Sequence, residues 1–121
     1  MSSVTESTRE VLAGLSAGRP EALKEVVGSP DQFREAAGLD ERTFALVRLA
    51  ALISLDAPPS SYACQVATAI EAGVSSDEIV GVLYAVGPQI GEPKVVAAAP
   101  ELMLALGLSL PEAGEYPKDR D

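Results

Sequence analysis

The stretch SSYACQVATAIEAGVSSDEIVGVL, residues 60 to 83, constrains the fold more than any other part of the chain. Pro58 and Pro59 ahead of it stop a preceding helix from running on, and Ser60 or Ser61 can cap a new one. Ala63, Val66, Ala67 and Ile70 then recur at helical spacing up to Gly73, a residue type that ends helices in the left-handed conformation. Ser75 and Glu78 stand in capping-box spacing and open a second helix with Ile79, Leu83, Val86 and Ile90 along one face. Two capped helices joined by so short a connection predict a helical hairpin.

The flanking segments extend the same pattern, and nowhere do four or more residues alternate apolar and polar as a half-buried strand requires. The chain is therefore expected to be all-α, a single-domain helical bundle around that hairpin. Residues 39 to 56, LDERTFALVRLAALISLD, open on Asp40 as cap and run from Phe44 to Leu55 with Arg48 as the only charge. A helix apolar on nearly every side belongs at the centre of a bundle. Shorter helices are expected over 5 to 18, 20 to 28 and 29 to 38, the first two amphipathic and superficial. Residues 92 to 107 contain Pro100, whose ring and missing N–H predict a break after Ala98 and two short helices. The organisation read from this punctuation is a helical extension over 1–30, a core over 31–107 and an acidic tail over 108–121. The tail is expected to be mobile unless Leu108 and Leu110 dock on a neighbour.

Charge and composition exclude several functions. Nine basic residues against eighteen acidic ones give a net charge of -9, which repels nucleic acid and anionic membrane surfaces. No apolar core follows the N-terminal MSSVTESTRE, and no run approaches the roughly eighteen apolar residues of a membrane span, so a cytoplasmic protein is expected. With one cysteine and no histidine, neither an internal disulfide nor a zinc site can be assembled, and no cofactor is implied. The chain is 47% hydrophobic but only 4% aromatic, which suits close helix packing better than an aromatic ligand platform.

From Leu39 to Leu102, the nearly all-apolar helix, the hairpin AIEAGVSSDEIVGVL and the GEP turn after it resemble the carboxymuconolactone decarboxylase superfamily, which includes the alkylhydroperoxidase D-like proteins. The resemblance implies a small helical domain that assembles as a trimer or as a hexamer built from trimers. Peroxidase-type members carry Cys-x-x-Cys-x-x-x-His on the first hairpin helix and a glutamate on the helix before it. There a paired thiol attacks and resolves while histidine and glutamate move the proton. Anchored on Gly73, that motif places the histidine at Gln65 and the cysteines at Ser61 and Pro58, and the glutamate falls near Ala45 or Leu46. Decarboxylase-type members also keep a histidine at the position of Gln65, and glutamine cannot titrate. The resemblance thus implies the scaffold without either chemistry.

Four residues are left as candidates. Cys64 reads as a small buried hydrophobe, or as a reactive thiol if a cation stands near it. Arg48, alone among apolar residues, needs a carboxylate such as Glu41 or Asp56, an anionic ligand, or solvent. Tyr62 and Gln65 share one face of the hairpin helix and offer hydrogen bonds, either to a ligand or within a structural network. Two functions follow. One is a binder or transformer of a small polar or anionic metabolite, with Arg48, Tyr62 and Gln65 at its wall; the other is a non-catalytic oligomeric scaffold.

Overall fold

The structure is a computed structural model that describes residues 3–28 and 35–111. Six helices and no strand occur among the described residues, so the chain is all-α as its sequence predicts. They fall into two units that divide between Leu39 and Asp40.

The first unit holds α1 (Glu6–Ser16) and α2 (Pro20–Val27), which pack on one another. Thr5 caps α1 by accepting the Thr8 backbone N–H at 3.1 Å, and Pro20 begins α2 in the first turn, where a missing N–H costs nothing. The close crossing runs over Gly14: a methyl group there would lie 3.2 Å from the Ala22 Cβ. Residues 35–38 form a turn, and the rest of the helix expected over 29 to 38 lies outside the described residues.

The second unit holds α3 (Glu41–Ser54), α4 (Pro59–Glu71), α5 (Ser76–Ile90) and α6 (Glu92–Ala105). α3 packs against each of the other three, which is the central position its all-round apolarity predicts, and α6 does the same. The two hairpin helices diverge from their turn, each packing on both α3 and α6. Ala45, Leu49 and Ile53 from α3 meet Tyr62, Val66 and Ala69 from α4, Ile79 and Val82 from α5, and Ala98 and Leu102 from α6.

The termini explain the element boundaries. The Asp40 carboxylate accepts the Thr43 N–H at 2.6 Å, and that bond holds its carboxyl below the usual range. Ser75 and Glu78 close the full capping box: Glu78 N–H donates to the Ser75 hydroxyl at 3.1 Å, and Ser75 N–H to the Glu78 carboxylate at 2.9 Å. Gly73, at φ 92°, adopts a backbone that L side chains rarely accept. Its neighbour Val74 donates to Ala69 O at 2.9 Å and buries its side chain as the hydrophobic seal of that stop.

Three sequence expectations need correction. α4 begins at Pro59, with Pro58 as cap, rather than at Ser60 or Ser61, because proline fits the first helical turn. Its buried face is Tyr62, Gln65, Val66 and Ala69, not the stripe through Ala63, Ala67 and Ile70, which lies exposed. α6 also runs unbroken through Pro100 to Ala105. The carbonyl deprived of its donor there is that of Val96, a residue 70% exposed, so water can take the donor's place.

Candidate functional site

α4 carries the residues that the sequence singles out. Tyr62 and Gln65, one turn apart, both point into the bundle, 2% and 8% exposed. Neither side chain makes a hydrogen bond among the described residues, although no fully enclosed side-chain nitrogen or oxygen there lacks a partner. The phenol oxygen and the amide therefore each keep a little exposure at the edge of an apolar core.

The surroundings set what these tips can do. Burial raises the Tyr62 pKa above its ordinary value, and the negative charges of Asp56 and Glu101 add to the shift. At neutral pH the phenol is consequently a hydrogen-bond donor and not a base. Asp56 follows the end of α3 in left-handed backbone, at φ 54°, a conformation aspartate tolerates better than most residues. The Lys94 ammonium reaches from α6 to the Ser54 carbonyl at 2.6 Å and places a positive charge on the negative end of the α3 dipole. Sequence reading does not single out Lys94, because its partner is a backbone carbonyl forty positions away.

Arg48 stands apart from that pair. It is half-buried, and its guanidinium lies 5.5 Å from the centre of the Phe44 ring one turn earlier, a cation–π contact. Among the described residues it pairs with neither Glu41 nor Asp56, and no hydrogen bond joins it to Tyr62 or Gln65. The ion pair between helices is made instead by Arg42 on α3 and Glu78 on α5, where Glu78 also serves the capping box.

Cys64 is exposed on α4, so it is not the buried hydrophobe that its small size suggests. It is the chain's only thiol and has no second thiol to resolve a sulfenic acid. Hydroperoxide consumption should be the same for the wild-type chain and for Cys64→Ser in a thiol-coupled peroxidase assay. Turnover that disappears with this substitution would establish a one-cysteine chemistry.

Two grooves flank α5. One, about 460 Å³, lies between α3 and α5 over Leu46, Val47, Gly81 and Ala85, with Arg42 and Glu78 also in its wall. The other, about 400 Å³, is lined by Val80, Leu83, Tyr84, Gly87, Pro88 and Val95. Neither is lined by Arg48, Tyr62 or Gln65. Among the described residues no group of three or more histidine, cysteine, aspartate or glutamate side chains could hold a metal, and no helix is long and apolar enough to cross a membrane.

A compact unit of four helices, its hairpin joined by a glycine stop and a capping box, is the class of protein that these elements define. The family model described as the carboxymuconolactone decarboxylase family matches residues 20–102, well over half of the chain, and the chain belongs to that family. No curated protein and no solved structure matches it.

Proposed function

We propose that this family member binds, or transforms, a small polar or anionic metabolite at Tyr62 and Gln65, without thiol peroxidase chemistry. One observation carries the reading: Gln65, where the resemblance places the family's histidine, is nine-tenths buried with its amide unpartnered among the described residues. The amide is not fully enclosed, so a guest can take the place of the solvent that reaches it. Tyr62 donates and Gln65 both donates and accepts, so the pair recognises a hydroxyl, carboxyl or amide group. No contact joins Arg48 to this pair among the described residues, and Asp56 and Glu101 disfavour a second negative charge beside Tyr62.

The test is a titration of the protein with a panel of small carboxylates, amides and polyols, followed through backbone amide shifts. Saturable changes should cluster around Tyr62 and Gln65. Gln65→Leu should weaken binding roughly tenfold, the loss of about one good hydrogen bond, while helicity is retained. A panel that leaves these amides unmoved, or a variant that binds as tightly as the wild type, sinks the proposal.

A non-catalytic scaffold is the competing reading, and the uncovered apolar grooves along α5 favour it. Both readings include a cytoplasmic homo-oligomer, a trimer or a hexamer. In support, Val47, Val80, Tyr84 and Val96 leave apolar surface open on three adjoining helices.

A further inference from the structure

The corner where α3 gives way to α4 is charged on one side only. Two acids act on the buried Tyr62 phenol: Asp56, just past the end of α3, and Glu101 on α6, the helix that packs along α4. Among the described residues neither carboxylate makes an ion pair or a side-chain hydrogen bond. Their field therefore falls on the phenol without a partner to offset it. One ammonium already sits at this corner, that of Lys94, which donates to the Ser54 carbonyl where the α3 dipole is negative. Set against the two carboxylates, it still leaves the corner with a net negative charge.

We propose that the guest at Tyr62 and Gln65 is a small primary amine in its ammonium form, with Asp56 and Glu101 supplying the opposite charge. The inference rests on the binding site proposed above and names the class of its guest. An ammonium carries three N–H donors and no acceptor. It matches what the corner offers: the phenol oxygen and the Gln65 carbonyl as acceptors, both on side chains at least nine-tenths buried and without a hydrogen-bond partner among the described residues, and two unpaired carboxylates. A carboxylate guest could accept from the phenol and the amide, but it would bring a third negative charge to the corner. A neutral amide or alcohol would make the hydrogen bonds and gain nothing from the charge. A divalent metal ion asks for more ligands than are gathered here, since no group of three or more acidic, cysteine or histidine side chains occurs among the described residues. The ammonium alone uses both the acceptors and the field.

The test is a backbone amide titration of the full chain at neutral pH and fixed ionic strength with butylamine, butyramide and butyrate, three probes of one chain length that differ in charge. Butylamine should move the signals around Tyr62 and Gln65 to saturation, and bind roughly tenfold more tightly than butyrate. Glu101→Gln, which keeps the size of the side chain, should weaken butylamine about threefold or more and leave butyramide unchanged. Glu71→Gln removes an equal charge from the exposed far end of α4 and should change neither. Circular dichroism should report unchanged helicity in both variants, and the comparison of probes on the wild type decides without them. Butyramide or butyrate binding as tightly as butylamine refutes the amine and leaves the site standing. Equal losses in the two variants refute it as well, because the amine then answers to the charge of the whole chain. If butylamine leaves these signals unmoved the amine is refuted, and if the carboxylates, amides and polyols of the earlier panel leave them unmoved too, the site falls with it.

Discussion

Leu49→Ala should destabilise the protein by about 3 kcal/mol or more, enough to remove a large share of the 5–15 kcal/mol that holds a typical domain together. Leu49 is 0% exposed and stands midway along the Ala45, Leu49 and Ile53 stripe of α3. Since α3 packs on α4, α5 and α6 alike, the side chain is enclosed by the whole bundle, and no single neighbour can move in to fill the space. The loss then combines the transfer energy of the deleted atoms with the cavity left behind. Urea unfolding should show a lower midpoint with an unchanged slope, and the thermal midpoint should fall by roughly 12 °C or more for a domain of this size. Val47→Ala, on the same helix but 54% exposed, should stay within about 0.5 kcal/mol of the wild type. Equal losses at the two positions would mean that α3 buries a different face.

The contrast between Leu49 and Val47 also marks where sequence reading stops. Helix ends were legible because their signals are local: Asp40, Ser75 with Glu78, and Gly73 each act within a few residues. The central place of α3 was legible because a helix without a polar side must be covered. Which side of α4 turns inward was not. Alanines and one cysteine dilute its apolar contrast, and Tyr62 and Gln65 count as polar by type while lying buried as placed. The site shows the same division. Gln65 came to notice through the family resemblance, whereas Lys94 on the Ser54 carbonyl, Arg42 beside Glu78 and the grooves along α5 exist only once helices are packed. Arg48 is a mixed case. Its need for a partner was legible, but Phe44, four residues earlier on the same face, meets it in place of a carboxylate.

Pro100→Ala should stabilise the protein by roughly 2 kcal/mol, a gain opposite in sign to most substitutions within a folded helix. Pro100 lies inside α6, eight residues after its start at Glu92 and five before its end at Ala105. A proline at an interior position costs about 3 kcal/mol relative to alanine, through its absent N–H and the crowding of its ring against the carbonyl one turn back. α6 carries that cost without breaking because Ala98 and Leu102, on either side of Pro100, are 2% and 4% exposed within the core. Burying a leucine such as Leu102 returns about 1.5–3 kcal/mol, and that return is lost if the chain turns away after Ala98. Alanine at position 100 restores an N–H that can donate to the Val96 carbonyl, and it removes the clash. The opposing effect is the greater freedom of the unfolded chain without its proline, about 0.4–1 kcal/mol. Urea denaturation at constant slope measures the difference between these effects. A midpoint that fails to rise would mean that no hydrogen bond is regained at Val96, so that α6 is already broken after Ala98, as the sequence alone predicts.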